Sequence, residues 1–210
     1  MQVNANAPVC FMRNHANSVF HKDFWGSVRY GGTQLGAPAL ANMGGGAMGD
    51  AVRRFDWTTT ALGPSESWPA ELQSAVAWVL ESQFPMALVW GPERITLYND
   101  AFRPILGSKP EALGRSFDHV WAEAWDAIGP LADRAYAGEP SFFEDFPLEV
   151  DRGNGPEKAW FTFCYSPLRL ADGSVGGMVD TVMETTSAVL ARQATEVMRD
   201  ELAHRLKNTM

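Results

Sequence analysis

The sequence predicts an α+β domain centred on one five-stranded antiparallel sheet, with short helices on one face of it. Three observations carry that reading. Apolar or alternating runs fall into two groups: Met86–Trp90 with Ile95–Tyr98, then Phe142–Val150, Lys158–Tyr165 and Val175–Met183. Only short helical patterns separate the groups. The connections at Gly91-Pro92, Asp151 to Gly155 and Ala171 to Ser174 are rich in the Gly, Asn and Asp that hairpin turns use. Helices laid over one face of such a sheet would leave a pocket beneath them.

In chain order, residues 1–50 read as a low-order extension. Asn, Gly, Ala and Ser dominate, aromatics such as Phe11 and Trp25 are scattered without period, and Gly44-Gly45-Gly46 reads as a flexible interruption. One reading places the true translation start at Met43 or Met48. Residues 51–85 form a lead-in and an N-terminal helix. Ser67 or Trp68 opens that helix, Pro69 sits in its first turn, and Leu72, Val76, Val79 and Leu80 make one apolar face. Residues 86–185 hold the sheet. Asn99 to Phe102 starts a short helical passage that ends near Gly107, and Pro110 opens another turn over 111–113, closed by Gly114. Phe117, Trp121, Trp125 and Ile128 mark one helix, interrupted at Gly129-Pro130 and followed by a second helical piece to Gly138. Residues 186–210 read as one signalling and dimerisation helix. Leu190, Val197 and His204 recur every seven residues along it, which suits a parallel dimer.

Composition narrows the function. Apolar content of 46% with eight Trp is enough for a sizeable core. A net charge of -8 argues against a nucleic-acid or anionic-membrane surface. No run approaches the ~20 apolar residues of a membrane span, and the N-terminus lacks a signal-peptide pattern. Cys10 and Cys164 are too far apart in sequence to suggest a metal or disulfide framework. A cytoplasmic protein is expected, with no metal site.

Several stretches resemble a known family. They are Leu62-Gly63-Pro64 with Trp68-Pro69, Phe84-Pro85-Met86, Trp90-Gly91-Pro92, Leu97-Tyr98-Asn99-Asp100 and Leu113-Gly114-Arg115. Trp121, Glu123, Trp125, Phe161 to Pro167, Asp172-Gly173 and Glu184-Thr185-Thr186 continue the pattern in order. Residues 57–185 thus resemble the PAS sensor domain that commonly precedes HWE-type histidine kinase cores. The resemblance implies a PAS fold and a pocket, with Leu88, Trp90, Phe102, Trp121, Trp125, Phe161 and Phe163 as lining candidates, either for a small-molecule ligand or as plain core. A flavin photoadduct is not expected, because Cys164 lies in a strand and not on the helix that the photoactive class uses. Haem ligation through His119 is likewise not expected, since a lone His is more often a capping or solvent-facing residue.

The end of the chain carries the sharpest motif. On its own, a single His on a charged helix reads as a solvated side chain. The string Glu201-Leu202, His204-Arg205 and Lys207-Asn208, however, resembles the phosphoacceptor box of the HWE and HisKA_2 histidine kinases. The resemblance implies that His204 attacks the γ-phosphate of ATP and passes the phosphoryl group to a receiver aspartate. Glu201, one turn earlier, would hold or deprotonate the ring. No Gly-rich ATP lid follows His204, so the chain reads as the sensory and dimerising part of a two-component sensor histidine kinase, truncated before its ATP-binding domain. Its expected partners are a second copy, the kinase catalytic domain and a response-regulator receiver domain. The alternative is a non-catalytic PAS module, binding ligands or partners, with a vestigial acceptor box.

Overall fold

The computed structural model describes residues 44–153 and 155–208. Its centre is a five-stranded sheet in the order β2-β1-β5-β4-β3, antiparallel at every pairing. The strands are β1 (Met86–Trp90), β2 (Ile95–Tyr98), β3 (Ser141–Asp151), β4 (Pro156–Arg169) and β5 (Val175–Glu184). The two strand groups meet where β1 pairs with β5, so the first and last strands lie side by side. Gly91 (φ 75°) and Arg94 (φ 54°) take left-handed backbone to close the β1–β2 hairpin.

Helices α1 (Gly46–Arg54) and α2 (Ala70–Glu81) precede the sheet. Helices α3 (Arg103–Leu106), α4 (Phe117–Val120) and α5 (Trp125–Tyr136) lie between β2 and β3, and α6 (Thr186–Asn208) follows β5. Helix α2 packs on β1 and β2, whereas α5 packs on β4 and β5. With α2 in place, every residue of β1 and β2 is buried.

The dipeptide Asn99-Asp100, at the end of β2, joins the leading helices to the sheet. Asn99 is 1% exposed. Its amide nitrogen donates to the carbonyls of Val79 (3.1 Å), Ser82 (3.0 Å) and Phe84 (2.6 Å), where α2 ends and the chain turns into β1. Its Oδ1 accepts from the N–H groups of Met86 (3.1 Å) and Phe102 (3.0 Å). Asp100 then accepts from the N–H groups of Ala47 (2.8 Å) and Met48 (3.0 Å), capping α1 from a distant part of the chain.

Three local expectations are corrected. The low-order extension expected over 1–50 lies outside the described residues up to 43, as do Cys10 and a start at Met43, but residues 46–50 belong to α1. Gly45 and Gly46 take positive φ (95° and 60°) to turn the chain into that helix. Met48 and Val52, one turn apart, are then fully buried. The glycines thus set a helix entrance and not a linker. The helical turn expected over 111–113 does not form: a turn closes from the Ala112 carbonyl to Arg115 N–H (3.1 Å), and residues 114–116 then lie along the sheet edge. Gly114 N–H donates to the Thr96 carbonyl (2.9 Å), and Thr96 N–H donates to that of Arg115 (2.8 Å). The open backbone groups of edge strand β2 thus prevail over a single helical turn, which is costly to nucleate. Finally, the helix expected through Phe117 and Ile128 is two, α4 and α5, broken at Trp121. No interruption occurs at Gly129-Pro130, which lies inside α5. A Cβ at Gly129 would lie 2.8 Å from the Trp125 ring, so only glycine lets that ring fold back over its own helix.

Replacing Asn99 by Ala should destabilise the domain by on the order of 3 kcal/mol, because it strands several buried backbone donors and acceptors at once. Urea unfolding measures the loss. An unchanged midpoint would remove Asn99 from this role.

Candidate functional site

Between the sheet and helices α3 to α5 lies a cavity of about 30 Å³. Its floor is set by strand register. Tyr165 of β4 pairs directly with Asp180 of β5, and Phe163 pairs with Val182, so all four side chains stand on one face. Phe161 and Leu148 extend the floor, and Ile105, Phe117, Trp121 and Ile128 close it from the helices. The rings interlock: Phe117 and Tyr165 lie 6.4 Å apart edge to face, Phe117 and Trp121 lie 6.5 Å apart, and Phe163 and Tyr165 lie 5.1 Å apart.

Into this apolar surface projects one carboxyl. Asp180 is 5% exposed, and its Oδ1 has no hydrogen-bond partner among the described residues. Burial alone pushes it well above the usual carboxylate range. The Tyr165 hydroxyl is raised as well, first by burial and then by the neighbouring Asp180. The cavity thus holds a proton on a group that ordinarily gives it up.

Of the residues expected to line the pocket, Trp121, Phe161 and Phe163 do so. Leu88 and Trp90 do not. They pair with Val179 and Gly177, one residue out of phase with Asp180, and therefore point to the opposite face of the sheet. Phe102 stands behind the wall, packed on Tyr98 (5.9 Å) and Trp121 (6.5 Å). Trp125 lies outside Phe117, half-buried under the Arg94 guanidinium at 5.1 Å. Asp180 and Tyr165 escaped the sequence reading. Val179 and Val182 are apolar on both sides of Asp180, so alternation alone could not say which face the acid takes. Cys164 lies on β4 between Phe163 and Tyr165 and so faces away from the cavity, and His119 is exposed on α4. Among the described residues, no group of three His, Cys, Asp or Glu is placed to hold a metal.

A second feature links this floor to the chain end. Helix α6 starts directly after β5. Thr185 N–H donates to the Trp160 carbonyl (2.7 Å), and Trp160 N–H donates to Thr186 Oγ1 (3.0 Å). Arg152 reaches Glu184 at 2.9 Å, and Thr186 Oγ1 donates to the same carboxylate at 2.8 Å. Nearly two turns further, Arg192 pairs with Asp145, which stands at the β3 bulge. From Leu190 to Lys207 every side chain is exposed. Leu190, Ala194, Met198, Leu202 and Leu206 recur every fourth residue along the helix. His204 and Glu201 stand on this exposed part, and Glu201 pairs with Arg205. Among the described residues, no helix is long and apolar enough to cross a membrane.

The buried carboxyl makes stability depend on pH. The unfolded acid releases its proton above about pH 3.9, whereas folded Asp180 keeps it to a higher pH. Its contribution is therefore full below the unfolded value and is lost as pH rises through the folded one. Asp180→Asn should remove that slope and unfold at a higher urea concentration than wild type at neutral pH. Parallel curves for the two proteins between about pH 4 and about pH 8 would contradict this.

A family model described as the PAS fold matches residues 80–190. Among solved structures, an RNA-binding light-oxygen-voltage receptor is 20% identical with a TM-score of 0.45, covering 69% of this chain and 40% of that one. A sensory box sensor histidine kinase from Vibrio cholerae is 17% identical with a TM-score of 0.36, covering 54% and 86%. The PAS domain of the histidine kinase ThkA is 23% identical with a TM-score of 0.34, covering 47% and 95%. The family match spans more than half of the sequence and takes in the whole sheet together with the cavity it floors, and this chain belongs to the PAS family.

Proposed function

We propose that the chain is the sensory and dimerising part of a cytoplasmic two-component sensor histidine kinase of the HWE type. In this reading the PAS domain receives a signal and α6 carries it to His204, which an ATP-binding domain outside this chain phosphorylates. The observation that carries the reading is the unbroken helix from the end of β5 to the acceptor box. It spans about 27 Å between Thr186 and His204 at 1.5 Å per residue. A helix of that length exposing Leu190, Val197, Met198, Leu202 and Leu206 has little reason to stand alone in water. A second copy laid parallel along it would cover those side chains and set two acceptor histidines at the same height. The phosphoryl group would then pass to the aspartate of a response-regulator receiver domain.

Chemistry at His204 needs only an imidazole nitrogen exposed to an incoming γ-phosphate in line. Glu201, at i−3, is within one turn for orienting the ring, and its pairing with Arg205 holds that carboxylate on the same side of the helix. Incubation with ATP and an HWE-type catalytic domain should give acid-labile phosphate on the chain. His204→Ala should abolish it, and labelling that survives the substitution would refute the acceptor assignment.

Signal transfer would run through the β5–α6 junction, where Arg152 holds Glu184. Arg152→Met should loosen the first turns of α6, speeding amide exchange over 186–192 by about 5- to 10-fold for the roughly 1 kcal/mol such a half-buried pair supplies. Exchange unchanged by the substitution would place the junction's rigidity elsewhere.

The second reading, a PAS module without kinase output, is favoured by one observation: the Asp180 cavity is complete within this chain and needs no catalytic domain. Ligand binding without labelling at His204 would support it over the first.

A further inference from the structure

We propose that the cavity at Asp180 binds a compact cationic amine, an ammonium group carrying at most one carbon. The inference deepens the reading of this domain as a signal input and rests on it. Its first support is the unmet acceptor. Asp180 Oδ1 is buried on the cavity wall with no partner among the described residues, so the space beside it is suited to a hydrogen-bond donor. The second is the wall itself. Phe117, Trp121, Phe161, Phe163 and Tyr165 surround that space, and aromatic faces attract a cation most strongly where water is excluded. The third is size, because about 30 Å³ admits one or two water-sized groups and no extended ring system.

Charge excludes the other ligand classes. Among the described residues, no basic side chain lines the cavity to receive an anion. Two cations touch its walls without lining it: Lys109 lies 5.0 Å over Trp121 and Arg152 lies 5.8 Å over Phe161. Each is already paired, Lys109 with Glu123 and Arg152 with Glu184, so neither opposes a second cation with a full charge. A neutral donor would satisfy Asp180 but gain nothing from the ring faces. Among the lining residues the other ionisable group is Tyr165, which stays protonated.

The proton balance gives the proposal a signature. Burial favours the neutral acid at Asp180 in the empty cavity, up to its raised titration range. An ammonium group donating to Oδ1 stabilises the carboxylate, so the neutral acid and the ammonium ion become an ion pair while one proton leaves to solvent. Binding therefore releases about one proton per amine and tightens as pH rises towards the folded-state value.

Isothermal titration of the full chain with ammonium and methylammonium chloride, in buffers of different ionisation enthalpy, tests this. Methanol serves as the neutral counterpart. The expected result is saturable binding of the amines alone, with proton release, weakened about 10-fold or more by Asp180→Asn. Val182→Met fills the cavity without touching the carboxyl and should abolish binding, which keeps the test decisive should Asp180→Asn fail to fold. Binding of methanol with equal affinity, unchanged amine affinity in Asp180→Asn, or no binding of either amine would overturn the proposal. His204 phosphorylation is not read in this assay. Amine binding without phosphotransfer would therefore sink the kinase reading and leave this one standing, and the reverse result would do the opposite.

Discussion

Everything ahead of the sheet depends on Asn99 and the acid that follows it. One buried amide meets carbonyls from the end of α2 and the segment leading into β1, and N–H groups from β1 and the turn after β2. These backbone groups lie where regular structure stops, although the Val79 carbonyl also accepts from Ser82 N–H and Phe102 N–H also donates to the Asn99 carbonyl. A buried polar group left unpaired costs about 1–3 kcal/mol. Asn suits the position because its side chain is both donor and acceptor, where Asp offers only acceptors and Leu neither. Asp100 does the same for α1 through its capping contacts. Two adjacent side chains thereby add polar ties to two helices that also bury apolar side chains in the core.

The opposite economy rules the cavity. The Asn99 side chain is fully engaged, whereas Asp180 is left facing aromatic rings with its Oδ1 unmet among the described residues. Such a group weakens the fold unless something occupies the space beside it, and burial shifts the acid towards its neutral form. A site that is strained when empty and relieved when filled is what population shift requires, because only a ligand with different affinities for two states can move their balance.

The route outward from that site is short. Asp180 and Val182 form part of the floor, Glu184 of the same strand is held by Arg152, and α6 begins at Thr186. A change at the floor therefore meets the helix within one strand, without crossing a loop. Among the described residues, an ion pair ties that helix to the body of the domain at Arg192, and beyond this its apolar side chains are exposed.

The sequence by itself determined the five strands, their hairpins and the terminal helix, since these follow from local alternation, turn residues and uninterrupted helical spacing. Leu97 to Asp100 stood out as a motif, though its role as a tie between distant elements did not. What only the tertiary structure decided is where side chains meet across the sheet. The seven pocket candidates were apolar residues on the right elements, yet Leu88 and Trp90 turned to the other face because facing is set by strand register, which a both-faces-apolar strand does not encode. Helix α1 likewise hid behind three glycines, because its cap lies at Asp100 and not beside it in sequence. Asp180 was invisible for the same reason: an acid within a strand acquires its meaning from what stands opposite, and the pairing with Tyr165 exists only once β4 and β5 are folded together.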